Sequence, residues 1–209
     1  MAYSLNEDVL SAVSHGIGAV LSVVGLVMLV TRGVANSNEY QVISGSIFGA
    51  SLIFAYLAST LYHSLRLQRV RLLFRKLDHS AIYVLIAGSY TGLMLGVVRG
   101  GWGWSFLGVV WGIAVIGVLL KVLRMGKYPK LSLATYLIMG WLAVIGIYPL
   151  WKDLPSQSFV LLIVGGVIYS LGAILYAMKR IPYTHAVWHL FVLGGSMAHF
   201  ACIYTAYGA

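Results

Sequence analysis

Two histidines four residues apart carry the clearest chemical signal in the sequence. The segment 185–189 has the sequence HAVWH, and in a helix both of its imidazoles would lie on one face, about 6 Å apart along the axis. Such a pair can ligate one metal ion from a single helix. His63, from another helix, would supply a third imidazole. Three protein ligands with a fourth position for water are typical of catalytic zinc, whereas structural zinc sites are closed.

Two further polar residues have the chemistry that a water-activating metal requires nearby. A bound cation lowers the pKa of its water towards ~7 and so makes hydroxide available at neutral pH. Asp78 is suited to hold or deprotonate that water, or to orient a ligand imidazole. Ser59 lies one turn before His63 on the same face, where its hydroxyl can bond a substrate carbonyl or the water. Alternatively, this serine bonds the carbonyl four residues earlier in its own helix.

The other histidines differ in what their positions allow. Imidazole ligands favour zinc among the divalent ions, although iron, nickel and copper remain open. His15 can act as a fourth ligand, as a substrate contact or as a hydrogen-bonded packing residue. His79 lies about 100° around its helix from Asp78, so we do not expect the two to share a site. His199 lies about 21 Å along the axis from His185, too far for the same ion. The predicted metal ligands are His63, His185 and His189.

The elements that carry these residues are predicted to cross a membrane. The 209 residues are 60% hydrophobic and only 9% charged, with a mean hydropathy of +0.90, whereas soluble chains have about 25% charged residues. A span needs ~20 apolar residues. Seven apolar segments have this length, at about 13–31, 43–62, 80–98, 102–120, 131–150, 158–178 and 186–206. They lack the two-residue alternation of a β-barrel. We therefore predict one all-α integral membrane domain over 1–209, a bundle of seven transmembrane helices.

Local patterns add detail to these segments. The stretch 4–7 (SLNE) has the form of a capping box, which predicts a short helix before the first segment. Small residues recur at four-residue spacing and permit close helix contacts. They are Gly45 and Gly49, then Gly88, Gly92 and Gly96, then Gly108 and Gly112.

The distribution of Lys and Arg predicts the orientation of the chain. Short cytoplasmic loops are enriched in these residues. The connections after the second, fourth and sixth segments hold eleven of the fourteen Lys and Arg residues. These connections are therefore predicted to be cytoplasmic, with the N-terminus inside and the C-terminus outside. Because the net charge of +9 resides in such loops, we expect no nucleic acid partner. In this orientation His63, Asp78, His185 and His189 lie at a similar depth near the cytoplasmic face.

Three motifs, in this order along the chain, resemble the hemolysin III family, the bacterial branch of the progestin and adiponectin receptor proteins. They are STLYH at 59–63, KLDH at 76–79 and HAVWH at 185–189. The resemblance covers essentially the whole chain, and it implies seven spans and an inner N-terminus. In the receptor branch an acid, Asn, Thr and His precede the first span. Here the matching residues are Asp8, Ser11, Ser14 and His15, so that part of the pattern is only loosely kept.

The resemblance also implies a site and an activity. It implies zinc held by His63, His185 and His189, a water linked to Asp78, and Ser59 nearby. Family members are placed with alkaline ceramidases in a superfamily of proposed membrane metal hydrolases. Bacterial members are linked to cytolysis by name and to membrane lipid homeostasis.

Three functional hypotheses follow for this chain. The leading one is a zinc-dependent, ceramidase-like hydrolase of a lipid amide or ester, with a membrane lipid as substrate or ligand, in the bacterial cytoplasmic (inner) membrane. The second is a membrane sensor or regulator in which the metal only holds helices together. The third is a cytolytic pore, but no charged ring or long polar helix face typical of a channel lining is evident in the sequence.

Overall fold

The computed structural model describes residues 4–124, 129–178 and 181–208, and these residues form helices joined by short connections, without any strand. The helices are α1 (Leu5–Ala35), α2 (Glu39–Ser64), α3 (Gln68–Leu93), α4 (Gly100–Arg124), α5 (Pro129–Gly140), α6 (Ile147–Asp153), α7 (Ser156–Ala177) and α8 (Thr184–Ala206). A π-helical turn, Met94–Val98, continues α3, and a 3₁₀ turn, Trp141–Val144, follows α5. The predicted all-α, multi-span architecture is confirmed.

The fifth predicted segment, 131–150, is not one straight helix. Six helices are long and apolar enough to cross a membrane, and the pair Leu131–Val144 and Ile147–Asp153 makes a seventh span only if its 54° bend is included. Glycines at 140 and 146 flank the bend. Pro149 has no N–H to continue the hydrogen-bond ladder through it. Hydropathy alone does not register this break, because the residues on both sides are apolar.

The first helix begins well before its predicted segment, which starts at about 13. The Ser4 hydroxyl accepts a hydrogen bond from the Glu7 amide at 3.2 Å, and α1 then runs without interruption from Leu5. The capping box therefore starts the transmembrane helix itself and not a separate short one. As a result, Asp8, Ser11 and His15 lie on one buried stripe of α1.

Close contacts between helices occur at two of the three glycine series. The helix α1 packs on α2 and α8, and α2 packs on α3. A Cβ atom built on Gly49 would lie 3.0 Å from the Leu26 Cα atom of α1. Gly88 meets Ser51 in the same way. By contrast, Gly108 and Gly112 are exposed, and within the described part of the chain no other helix comes within 4 Å of such a Cβ, so the contact that this spacing permits is not made there.

We expect Gly49→Leu to destabilise the bundle, because backbone and side-chain atoms of Leu26 occupy the space that the new side chain needs. Overpacking of this kind costs about 1–3 kcal/mol. Gly108→Leu is the matched control, because it makes the same change of helix propensity on an open face. Thermal unfolding in detergent should show a lower midpoint for Gly49→Leu alone. Equal midpoints for the two variants would contradict the packing described.

Candidate metal centre

Three imidazoles meet between α2 and α8. His63 lies in the last turn of α2, and His185 and His189 lie in the first turns of α8. The Nε2 atom of His185 is 3.1 Å from Nε2 of His63 and 3.1 Å from Nε2 of His189. All three residues are buried. The predicted convergence of these histidines from two helices is confirmed, and one nitrogen from each lies within 4.8 Å of the others.

The spacing of the nitrogens fits coordination of one ion. Metal–nitrogen bonds of about 2.0–2.1 Å in a tetrahedral site place the nitrogens roughly 3.3 Å apart, close to the 3.1 Å observed for two of the pairs. The three histidines can therefore hold a metal ion. Imidazole is a ligand for zinc, copper, iron and nickel alike, so the geometry leaves the identity of the ion open.

Asp8 sets the protonation of one ligand. Its Oδ1 atom lies 2.8 Å from Nδ1 of His63. Because a carboxylate only accepts hydrogen bonds, Nδ1 carries the proton and Nε2 directs its lone pair at the other two rings. The second oxygen, Oδ2, accepts a hydrogen bond from Nη2 of Arg71 at 2.6 Å. A carboxylate on the far nitrogen of a ligand histidine is the usual support of a protein metal site.

The neighbouring acid, Glu7, supports the other ligand helix. Its Oε1 atom accepts a hydrogen bond from the backbone amide of His185 at 3.3 Å. The helix α8 has no cap from its own sequence, because Tyr183 at the N-cap position makes no side-chain hydrogen bond to it. A carboxylate there satisfies a free amide and complements the helix dipole. Glu7 and Asp8 thus hold the two sides of the centre from α1.

The sequence pattern alone does not indicate a role for either of these acids. The matching motif is only loosely kept, and hydropathy placed the start of the first span after them. The three- and four-residue spacing of Asp8, Ser11 and His15 is the signal that extends the buried face of α1 to them.

His15 lies against one of the ligands. Its ring stacks on that of His189 with 3.8 Å between centroids, and its Nε2 atom is 3.3 Å from the His189 carbonyl oxygen. The sequence leaves three roles open for His15. Its contacts match the role of a hydrogen-bonded packing residue. His199 lies elsewhere on α8, against Tyr169 of α7, with 5.4 Å between ring centroids.

Ser59 lies in α2, four residues before His63, and Asp78 lies in α3. The Ser59 hydroxyl is buried and has no hydrogen-bond partner within the described part of the chain, so its alternative bond to its own helix is not formed. The Asp78 carboxylate lies within Coulombic range of His63 and His185. Its Oδ2 atom is 3.3 Å from Nδ1 of His79. Among the described residues the group that could hold a metal consists of His63, His185 and His189, so His79 lies outside it.

Comparison with known proteins decides the family. The family model "Haemolysin-III related" matches residues 3–200. The chain belongs to the hemolysin III family. It is 41% identical to "Hemolysin-3" of Bacillus cereus over 203 residues, which cover 97% of this chain and 93% of that protein. It is 42% identical to the "Hemolysin-3 homolog" of Bacillus subtilis (strain 168) over 201 residues, 96% and 94% of the two chains.

The hemolysin III family also has a more distant animal relative. The human "Monocyte to macrophage differentiation factor" is 29% identical over 175 residues, 79% of this chain and 71% of that protein. The resemblance to the progestin and adiponectin receptor proteins is thereby confirmed. This hemolysin III protein is a multi-pass membrane protein with bacterial relatives.

We expect purified protein to contain one metal ion per chain. The double variant His185→Ala/His189→Ala should contain almost none, because it removes two of the three ligands. His199→Ala is the matched control, since it removes a histidine of the same helix outside the cluster. Elemental analysis of the three proteins identifies the ion and its stoichiometry. Metal retained at full stoichiometry by the double variant would contradict the assignment.

Asp8→Asn should weaken metal binding by about 10–100-fold, because loss of the carboxylate removes the support of His63. The control is Glu39→Gln, which removes an exposed acid at the start of α2. Competition with a chromophoric chelator measures both affinities. Wild-type affinity in Asp8→Asn would show that this carboxylate does not orient the ligand.

Proposed function

We propose that this protein is a zinc-dependent intramembrane hydrolase of a lipid amide or ester, active in membrane lipid homeostasis. The observation that carries the proposal is the buried cluster of His63, His185 and His189 with Asp78 in Coulombic range of it. Zinc held by these histidines would supply Lewis acidity and acidify water at neutral pH. In hydrolysis the oxygen of water adds to the carbonyl carbon, the acyl C–N or C–O bond breaks, and a proton passes to the leaving atom.

The residues around the cluster have separable tasks in this reaction. Asp78 accepts the proton of the attacking water and returns it to the leaving nitrogen or oxygen. Ser59, with its unpartnered hydroxyl, donates a hydrogen bond to the carbonyl oxygen as negative charge develops there. Asp8 and Arg71 keep His63 in the orientation that coordination requires.

An apolar cavity within the bundle supports a lipid substrate. It has a volume of about 120 Å³, and it lies between α3, α5, α7 and α8. Trp188, next to the ligand His189, is among its lining residues. Pockets that enclose a whole small ligand measure about 300–1,000 Å³. This cavity therefore suits a portion of one acyl chain, with the rest of the lipid outside it.

The site would face the cytoplasmic leaflet. We place the single domain, 1–209, in the bacterial inner membrane with its N-terminus inside and its C-terminus outside. The excess of Lys and Arg in the connections after α2, α4 and α7 supports this orientation. The histidine cluster lies at the same end of the bundle as these connections, because α2 ends there and α8 begins there.

A sensor or regulator is the second candidate, favoured by the way the cluster joins helices. Asp8 of α1 bonds His63 of α2 and Arg71 of α3, while Glu7 bonds the start of α8. A metal at this junction would hold four helices together without catalysis. A cytolytic pore is a third candidate, for which the name of the Bacillus cereus relative is the support. Liposome leakage that survives His63→Ala would favour a pore.

The hydrolase is tested with purified zinc-loaded protein and defined amide and ester lipids, following release of fatty acid. We expect release by the zinc-loaded protein and none by the metal-free protein. Asp78→Asn should lower the rate by about 10²–10⁴-fold while leaving zinc content unchanged, and Asp153→Asn, at an exposed acid, should keep the wild-type rate. No release from any lipid, with zinc or without it, would contradict the hydrolase. Wild-type cellular function in Asp78→Asn, lost only with the histidines, would favour the sensor.

A further inference from the structure

A lysine near the C-terminal end of α4 is buried, and within the described residues it forms no ion pair with a carboxylate. Lys121 is 8% exposed, and its ammonium lies 5.6 Å from the centre of the Tyr136 ring. Buried lysines are normally paired with a carboxylate, because a charge taken out of water is costly. Within the described residues no carboxylate oxygen lies within 4.0 Å of this ammonium. The aromatic ring offers only a weak substitute.

A second cation lies near Lys121. The Arg75 guanidinium of α3 interacts electrostatically with the lysine. Its Nε atom is buried and has no hydrogen-bond partner among the residues that the structure describes. Nearby like charges repel each other, and Asp78 is the acid whose charge also acts on the lysine. Two cations with one acid keep a net positive charge, which a bound anion would balance.

Apart from Asp78, the described part of the chain has no acid that acts on these two cations. Its sequence contains five acidic residues against fourteen Lys and Arg, and all five acids are in the described part. Asp8 bonds His63 and Arg71, Glu7 bonds the start of α8, and Asp78 lies 3.3 Å from His79. The remaining two, Glu39 and Asp153, are exposed and form no ion pair in the structure as described.

We propose that Lys121 and Arg75 bind the phosphate of a lipid headgroup, so that the substrate class is a phosphate-bearing anionic glycerolipid. This inference rests on the proposed hydrolase function where it calls the bound lipid a substrate. The planar guanidinium and the compact ammonium are both established binders of phosphate oxygens.

The surroundings of the two cations match the order of groups in such a lipid. Asp78 interacts electrostatically with Lys121 and also with His63 and His185. Tyr136, under the lysine, also lines the apolar cavity. A glycerophospholipid carries its phosphate a few bonds from an ester carbonyl, which the acyl chain follows. With the phosphate bound at Lys121, the ester would lie towards the metal centre and the acyl chain would enter the cavity. A neutral ceramide would bring no phosphate to either cation.

General attraction of anionic lipids to basic residues at a membrane surface is the competing explanation. Arg66 and Arg69 are exposed in the same region of the chain, between α2 and α3 and at the start of α3. They provide a matched control, because Arg69→Gln removes the same charge as Arg75→Gln from the same helix but from its exposed face.

The test titrates fluorescent phosphatidylglycerol and the matching diacylglycerol into purified protein in neutral detergent. Wild type should bind phosphatidylglycerol at least tenfold more tightly than diacylglycerol. Lys121→Gln and Arg75→Gln should each lose at least tenfold in affinity for phosphatidylglycerol while keeping wild-type affinity for diacylglycerol, which also verifies folding. Lys121→Arg should retain binding, and Arg69→Gln should bind like wild type.

Three results would overturn the proposal. They are equal affinity of wild type for the two lipids, an equal loss in Arg69→Gln and Lys121→Gln, and Lys121-dependent binding of inorganic phosphate as tight as that of the lipid. Binding is measured without turnover, so failure of the hydrolase leaves this test intact. Conversely, hydrolysis of phosphatidylglycerol at a rate that Lys121→Gln leaves unchanged would contradict the headgroup site and support the hydrolase.

Discussion

The bond between the Asp8 carboxylate and the His63 imidazole is the interaction on which the centre depends. A ligand histidine must present an unprotonated nitrogen, and the carboxylate fixes which nitrogen that is. The carboxylate is itself buried, so it needs a countercharge, which Arg71 supplies at 2.6 Å. Both requirements are met only if α1 extends back through residue 8 and α3 begins early enough to include residue 71. The starts of these two helices are thus tied to the orientation of the His63 imidazole by Asp8 and Arg71.

The scarcity of acids gives each one a defined position. With five carboxylates in the sequence, this protein places Glu7, Asp8 and Asp78 at the end of the bundle that holds the histidine cluster. Each of the three bonds or approaches a histidine, at its backbone amide or at its ring. A charge inside a membrane protein is retained where it has a task, because its burial is costly. The scarcity of acids also makes the two cations of α3 and α4 informative, since among the described residues Asp78 is the one acid that acts on Lys121 and Arg75 lies near the same lysine.

The sequence predicts the multi-span helical fold and the clustering of the three histidines well, for reasons that can be stated. Apolar length predicts a transmembrane helix directly, and the distribution of Lys and Arg predicts that His63, His185 and His189 lie at one depth. It predicts the supporting residues poorly. Asp8 lies outside the apolar segment, because the polar residues on the buried face of α1 lower the local hydropathy. Glycine spacing is also a limited guide, because it does not indicate which face of a helix meets a neighbour, and Gly108 lies on an open face.

Hydropathy also does not predict the bend between α5 and α6, and hydrogen bonds just before it show how a membrane protein tolerates such a break. Backbone groups freed by a break must be satisfied by protein at membrane depth. Tyr90 of α3 does this in the segment that precedes the bend, because its hydroxyl donates to the Gly140 carbonyl at 2.6 Å and accepts from the Ala143 amide at 2.7 Å. The same three residues line the apolar cavity. The irregular backbone after α5 therefore borders the space that we assign to an acyl chain, and a tyrosine of the neighbouring helix hydrogen-bonds to the backbone there.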